Sequence, residues 1–251
     1  MLELFNIVES NLFSITPSLL LAFGFFTGLQ HATEADHVSA VATLVSKNRK
    51  LAKASLLGAL WGAGHTATLF IAGLAVLLFA ISIPAKLALS AELGVGIMLI
   101  VLGLLVIGKA KENKYLNILF GIFTAKHLHP HFHGNKFHVH IHNHDEEHDH
   151  SHKSVIVGMI HGLAGSGALM LVVLSTVGSI ASGLTYIALF GIGSIVGMLA
   201  ISTLIGMPFV FTANRFVKIN SYIALLAALV SVALGISIIY EIGFLEGLFI
   251  T

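Results

Sequence analysis

Cysteine is absent from this sequence of 251 residues. Neither disulfides nor thiolate metal ligands are therefore available, and any bound metal must be held by imidazole nitrogen or by oxygen. Charge is also scarce, because Asp, Glu, Lys and Arg make up 10% of the chain, against about 25% in an average soluble domain. With 56% hydrophobic residues and a mean hydropathy of +0.94, the composition is that of an integral membrane protein.

Two further sequence signals are missing. The chain has no glycine-rich phosphate-binding loop, so direct use of ATP by this chain is not expected. Proton coupling and the membrane potential both stay open as energy sources. The first residues are acidic, at Glu3 and Glu9, rather than basic, which argues against a cleaved signal peptide. Nothing in the sequence indicates binding to nucleic acid.

Hydrophobic segments of membrane-spanning length dominate the rest of the chain. Residues 154–214 contain no Asp, Glu, Lys or Arg, and this run is too long for one crossing, which needs about 20 residues. The polar breaks elsewhere divide the chain into six predicted spans, at 17–45, 55–81, 91–108, 154–176, 184–211 and 221–240. We therefore expect an all-α integral membrane protein with six transmembrane helices. The first helix is long enough to tilt or to break near its polar centre.

The basic residues indicate the orientation, because Lys and Arg concentrate in the cytoplasmic loops of membrane proteins. If the amino terminus is outside, the inner loops hold 12 of the 13 basic residues, namely Lys47, Arg49, Lys50, Lys53, Lys109, Lys111, Lys114, Lys126, Lys136, Lys153, Arg215 and Lys218. Lys86 and the acidic residues Glu3, Glu9, Glu92, Glu241 and Glu246 are then external. The sequence predicts a multi-pass protein of the cell (inner or plasma) membrane, with both termini outside and the polar insert in the cytoplasm.

The two halves of the chain resemble each other. The segment Gly28-Leu29-Gln30-His31 recurs 130 positions later as Gly158-Met159-Ile160-His161, and Leu60 to His65 recurs 129 positions later as Leu189 to Ser194. Each half has three predicted spans, so the second half must run through the membrane inverted, as in many transporters. The predicted organisation is a first repeat at 1–108, a cytoplasmic histidine-rich loop at 109–153 and a second, inverted repeat at 154–251. Chance similarity of glycine-rich helices is the alternative.

The most informative segment lies inside the first predicted span. It contains His31, Glu34, Asp36 and His37 within seven residues. A carboxylate at the bilayer centre costs about 2.5–3.5 kcal/mol on insertion scales. A divalent cation bound by these groups would offset that cost, so a metal-handling membrane protein is the first hypothesis.

Two further histidines are predicted to reach the same depth. Counted from the cytoplasmic ends of their spans at about 1.5 Å per residue, His37, His65 and His161 lie near the middle of the bilayer, with His31 further out. The predicted metal ligands are His31, Glu34, Asp36, His37, His65 and His161, and Thr66 and Ser166 are candidates to add oxygen ligands.

The local geometry leaves alternatives open. On a straight helix Asp36 points about 100° away from His37. Either the helix unwinds here, as binding-site helices of transporters do, or Asp36 orients a histidine without touching the ion. A polar network without metal, or a proton relay, is the competing interpretation. Ligation by nitrogen and oxygen suits Ni(II), Co(II), Zn(II), Fe(II) or Mn(II) and disfavours Cu(I), Mg(II) and Ca(II).

The motif resembles that of a known family. The pattern His31-(four residues)-Asp36-His37 resembles the signature of the nickel/cobalt transporter family, in which a histidine-rich first helix of this kind is required for transport. Gly64-His65-Thr66 resembles the second motif of that family, and the segment from His161 to Ser166 resembles its short, urease-accessory-like branch. Two departures are Glu34, where members commonly have Asp, and six spans where the longer members have eight.

The resemblance implies a function. It implies selective movement of Ni(II) or Co(II), usually inward, to supply enzymes such as urease or hydrogenase. The metal is then the transported ion, not a catalytic cofactor, and a cytoplasmic metal chaperone or metalloenzyme maturation factor is the implied partner.

The polar insert is rich in histidine. It holds 11 of the 15 histidines, namely His127, His129, His131, His133, His138, His140, His142, His144, His148, His150 and His152. This composition cannot form a packed core. We expect a flexible cytoplasmic arm that buffers, senses or captures metal, with neutral imidazoles as ligands. A featureless linker is the alternative.

Other functions remain open at this stage. Export is the main alternative to uptake, because such an arm can also collect surplus ion from the cytoplasm. A membrane metalloenzyme built on histidine boxes is more remote, since only four histidines lie inside predicted spans. A sensor or scaffold that binds metal without moving it is the third alternative. We expect a transporter and no enzyme.

Overall fold

The computed structural model describes residues 17–46, 48–79, 84–110, 128–133, 136–141, 151–164 and 179–250. These residues contain seven α-helices, which are α1 Pro17–His31, α2 Ala35–Val45, α3 Leu51–Phe79, α4 Ala85–Ala110, α5 Ser151–Ala164, α6 Ile180–Arg215 and α7 Val217–Tyr240. Two short strands, β1 Leu128–His133 and β2 Lys136–Ile141, lie between α4 and α5. A π-helical turn, Glu241–Leu245, continues α7.

Four helices are long and apolar enough to cross a membrane. They are α3, α4, α6, and α7 together with its π-helical turn. Large apolar side chains such as Ile71, Leu204 and Leu226 are exposed along them, which suits surfaces that face lipid. These helices coincide with the predicted spans 55–81, 91–108, 184–211 and 221–240. The predicted span 154–176 begins within α5, and its residues 165–176 lie outside the described residues.

The first predicted span is two helices rather than one. After α1 ends at His31, the amide of Thr33 donates to the Gln30 carbonyl at 2.8 Å and the amide of Glu34 donates to the His31 carbonyl at 3.1 Å. The Thr33 hydroxyl also donates to the Gln30 carbonyl, at 2.6 Å. Glu34 then adopts an extended conformation (φ −63°, ψ 149°), and α2 begins after it. The sequence left open whether this helix breaks, and the structure shows that it does.

The two longest helices form the centre of the fold. α3 and α6 pack along each other, α1 packs on α6, and α5 packs on α3. α4 and α7 pack together beside them, and α2 contacts α4, α6 and α7. The core where these helices meet includes the fully buried side chains of Trp61, Leu99, Val157 and Met198.

Glycines allow the closest helix crossings. Gly28 of α1 lies against the backbone carbonyl of Phe190, and Gly158 of α5 lies against the carbonyl of Trp61. A Cβ at either glycine would overlap that backbone. Small residues let membrane helices approach in this way, so these two glycines set how closely the short helices α1 and α5 approach the central pair.

The histidine-rich insert contains regular backbone that the composition did not predict. β1 and β2 pair as antiparallel strands, with Leu128 opposite Ile141 and His133 opposite Lys136. We expected a flexible arm because the composition cannot form a packed core. The alternation of His with Val and Ile near 138–141 is, however, the period-two pattern typical of a strand.

A substitution at one close crossing tests the packing. Gly158→Ala should lower the free energy of unfolding by about 1–3 kcal/mol, because the added methyl group overlaps backbone that cannot move aside easily. Gly94→Ala is the control, since nothing lies within 4 Å of a Cβ built there. The measurement is the thermal unfolding midpoint of the detergent-solubilised protein. Equal midpoints for the two variants would contradict the described crossing.

Candidate metal centre

The break after α1 brings four histidines together. His31 ends α1, His37 lies in the first turn of α2, His65 is in α3, and His161 is near the end of α5. The ring centroid of His37 lies 4.4 Å from that of His31, 5.3 Å from that of His65 and 4.1 Å from that of His161. The histidines that the sequence predicts at overlapping depths therefore lie in one cluster.

One side of the cluster is buried in the protein and the other side is partly exposed. His37, His65 and His161 are only 1–2% exposed. The exposed fraction of the side chain rises to 16% at His31, 26% at Asp36 and 56% at Glu34. The two carboxylates therefore lie at the edge of the cluster, and the imidazoles lie deeper.

Close helix packing positions the two histidines that lie outside the first predicted span. Gly162 of α5 lies against the backbone of His65, and Gly64 of α3 lies against the carbonyl of Val155. Because neither glycine carries a side chain, α3 and α5 touch backbone to backbone. This contact brings His65 and His161 within 5.8 Å, measured between ring centroids.

The carboxylates hold the histidine rings. Asp36 accepts a hydrogen bond from His37 Nδ1 at 2.9 Å and another from His161 Nε2 at 3.0 Å. Glu34 Oε1 lies 2.9 Å from His31 Nδ1. A carboxylate on one ring nitrogen fixes the tautomer and leaves the other nitrogen as a lone-pair donor. Of the two possibilities that the sequence left open, the helix does break; Asp36 is hydrogen-bonded to two histidines, and whether it also touches the ion stays a prediction.

Several ring nitrogens have no hydrogen-bond partner among the described residues. They are His37 Nε2, His65 Nδ1 and His161 Nδ1, and all three are buried. A closed polar network would pair such atoms, because buried polar groups in proteins are nearly always hydrogen-bonded. The orphaned nitrogens therefore argue against the interpretation of the cluster as a polar network that needs no ion.

The nitrogen spacing matches metal ligation. His31 Nε2 and His65 Nε2 face each other at 3.3 Å. Two nitrogens bound at about 2.0–2.1 Å to one tetrahedral ion are separated by about the same distance. Two groups of three side chains have ligand atoms within 4.8 Å of one another, namely His31 with His37 and His65, and Asp36 with His37 and His161. His37 belongs to both groups and joins them.

The remaining predicted site residues lie elsewhere. The Thr66 hydroxyl donates to the Gly191 carbonyl at 3.2 Å and so ties α3 to α6. Ser166 lies outside the described residues. Among the histidines of the insert, the structure gives strand backbone for His129, His131, His133, His138 and His140, and it places His152 in α5. Those at 127, 142, 144, 148 and 150 lie outside the described residues.

Comparison with known proteins identifies the family. The chain is 37% identical to the urease accessory protein UreH of Bacillus sp. (strain TB-90) over 230 residues, which covers 92% of this chain and 94% of that protein. The chain belongs to the UreH family. The resemblance to the short, urease-accessory-like branch of the nickel/cobalt transporters is therefore confirmed.

A second relative of this UreH-family chain is more distant. The chain is 25% identical over 221 residues to the Arabidopsis thaliana protein described as Chloroplast protein FOR GROWTH AND FERTILITY 2. That match covers 86% of this chain but only 55% of the plant protein, so the chain spans about half of its length. No family model and no solved structure matches the chain.

Sequence reasoning about this UreH-family chain missed Trp61, a buried residue beside the cluster. The Trp61 ring lies 5.4 Å from that of His37 and 5.3 Å from that of His161. Trp61 precedes His65 by four residues, and that spacing places both on one helix face. The spacing alone therefore indicates that Trp61 lies near the histidine. Ser194 aligns with His65 in the repeat, and its buried hydroxyl has no partner among the described residues.

A cavity of about 270 Å³ adjoins the cluster. Its lining includes His31, Glu34, Asp36, His37 and His161 from the cluster, Glu92 of α4, and Glu241 and Glu246 from the π-helical turn after α7 and the residue that follows it. Sequence analysis used the last three glutamates only to orient the chain. Nothing in their spacing along the sequence indicates that they share a cavity with the histidines.

Removal of the central carboxylate tests the role of the hydrogen bonds. Asp36→Asn should weaken Co(II) binding by about 10–100-fold, the usual effect of losing a group that orients a metal-binding histidine. Glu34→Gln should have a smaller effect, because Glu34 contacts one histidine and is more exposed. Co(II) titration of the purified protein measures both affinities. An unchanged affinity in Asp36→Asn would show that the histidines bind metal without it.

Proposed function

We propose that this protein carries Ni(II) or Co(II) across the cell membrane through the buried histidine cluster. The observation that supports this most strongly is the group of His31, His37 and His65, drawn from three helices at a break in the first span. Imidazole nitrogen with carboxylate oxygen, and no sulfur, is a donor set suited to these ions. The relation to a urease accessory protein favours nickel among them.

The proposed architecture is six spans in two inverted repeats around this site. Reciprocal contacts support it. Gly28 lies against Phe190, and Gly158 lies against Trp61. The offset of 130 relates Gly28 to Gly158, and the offset of 129 relates Trp61 to Phe190. The two contacts are therefore the same contact seen from the two repeats. The same conversion applies to a second pair of contacts, which are Gly64 with Val155 and Gly193 with Phe25.

The third helices of the halves cross symmetrically as well. Gly96 and Gly235 lie against each other where α4 crosses α7, and a Cβ at Gly96 would lie 3.0 Å from the Gly235 carbonyl oxygen. Gly103 packs on Ala228 at a second crossing point. An offset of 132 relates Gly96 to Ala228 and Gly103 to Gly235, so each of these contacts is the repeat of the other. The repeats would then be residues 1–108 and 154–251, with the insert 109–153 between them.

The proposed orientation places the insert in the cytoplasm and both termini outside. Ion movement would then be inward, toward a cytoplasmic metal chaperone or maturation factor, and the protein would catalyse no chemical reaction. Export is the alternative direction, and the histidine-rich insert on the basic side of the molecule favours it. The direction of flux in oriented vesicles distinguishes the two.

Removal of one buried ligand tests the transport site. His65→Ala should abolish Co(II) flux into liposomes that contain a metal-responsive dye, because it removes a nitrogen from the three-histidine group. Gln30→Ala is the control, because Gln30 neighbours His31 but is exposed. Flux at the wild-type rate in folded His65→Ala protein would reject the site. The elution profile and the unfolding midpoint report whether the variant is folded.

Deletion of the insert tests its role separately. Without residues 127–152 the protein should still move Co(II), because the buried cluster is intact, but flux should depend differently on the metal concentration at the cytoplasmic face. Flux assays at several cytoplasmic metal concentrations measure this. Complete loss of flux in a folded deletion variant would show that the insert is part of the transport path.

A further inference from the structure

The cavity beside the histidine cluster is lined by several acidic side chains. The described residues that line it include five carboxylates and no Lys or Arg. Asp36 and Glu34 contact histidines, whereas the carboxylates of Glu92, Glu241 and Glu246 form no ion pair with a described residue. All three line one cavity, so three acidic side chains share it without a Lys or Arg among its described lining residues.

The backbone fixes two of these glutamates. Glu241 opens the π-helical turn Glu241–Leu245, and the amide of Glu246 donates to the Glu241 carbonyl at 2.9 Å. The chain then reverses at Gly247, which has φ 82°. Single π-helical turns occur frequently at functional sites. Both glutamates line the cavity together with Glu92 of α4.

Two of the buried histidines line the same cavity. His37 and His161 are 1–2% exposed, line the cavity, and each carries one ring nitrogen without a hydrogen-bond partner among the described residues. The three glutamates are therefore not an isolated acidic patch on the surface. They line the same space as these candidate metal ligands, and Glu241 and Glu246 are exposed whereas the two histidines are buried.

We propose that Glu92, Glu241 and Glu246 form a second, outer cation site, which binds a hydrated divalent ion before it reaches the histidines. This rests on the proposed function. Carboxylate oxygens hold a cation that keeps part of its water shell, whereas imidazole suits Ni(II) and Co(II) better than oxygen does. An ion that enters the cavity therefore meets weaker oxygen ligands first and stronger nitrogen ligands further in.

The kinetic test uses neutral isosteres. The double variant Glu92→Gln with Glu241→Gln should raise the half-saturating Co(II) concentration by about tenfold, because charged ligands are lost. The maximal rate should stay close to that of the wild type, because the histidines are intact. Lys86→Gln is the control, since it changes a charge at the same end of α4 but does not line the cavity. Glu241→Gln alone, at an exposed position, serves if the double variant does not fold.

Salt separates a binding site from diffuse attraction. At about 1 M salt the Debye length is about 3 Å, so long-range attraction is screened. If the glutamates bind an ion directly, the half-saturating Co(II) concentration of the double variant should still exceed that of the wild type at this salt concentration. An unchanged half-saturating concentration in the double variant, or a difference that disappears at high salt, would overturn the outer site.

A binding measurement does not depend on transport. Equilibrium dialysis with Co(II) should show one fewer weakly bound ion per chain in the double variant, whereas His65→Ala should lose the tightly bound ion and keep the weak one. The insert is identical in all three proteins and cancels in the comparison. Equal numbers of weakly bound ions would overturn the outer site. Loss of the weak ion in the double variant, together with a wild-type protein that moves no metal, would support the outer site and reject the transport function.

Discussion

The rest of the site depends on the hydrogen bonds of the Asp36 carboxylate. One oxygen accepts from His37 of the same helix and the other accepts from His161 of α5. These bonds fix two rings from different parts of the chain against each other in an apolar surrounding. An isolated charge in such a place is costly, and the two hydrogen bonds reduce that cost for the carboxylate. Each histidine still has one ring nitrogen without a partner among the described residues.

The helix break explains how neighbouring residues can serve one cluster. In a continuous helix His31 would lie more than a turn away from His37. The turn at 32–34 changes the direction of the chain between α1 and α2. His31 and His37 then approach within 4.4 Å, measured between ring centroids. Glycine contacts hold α1 and α5 close to the central helices α6 and α3, and so fix the positions of His31 and His161 in the fold.

Much of the fold and the cluster could be predicted from the sequence. Long apolar runs between polar breaks predicted four helices correctly, because membrane crossing demands a minimum length. The depth of each histidine could be counted from the basic boundary, which is why His31, His37, His65 and His161 were recognised together. These predictions rest on regular helical geometry and on the strong cost of buried charge.

The rest required tertiary structure. The break at 32–34 depends on turn hydrogen bonds that have no strong sequence signal, because neither Gly nor Pro occurs there. The composition of the insert does not predict its paired strands, whereas the alternation of His with Val and Ile at 138–141 does. Glu92 and Glu241 are far apart in sequence, and only the packing of α4 on α7 brings them to one cavity.

The central claim is that one divalent ion binds among imidazoles from separate helices. The most direct test is anomalous diffraction from crystals of the full chain grown with Co(II). We expect a cobalt peak at bonding distance, about 2.0–2.2 Å, from ring nitrogens of His31, His37 and His65. Cobalt found only at the histidine-rich insert, with the rings of the cluster bonded to one another or to water, would contradict it.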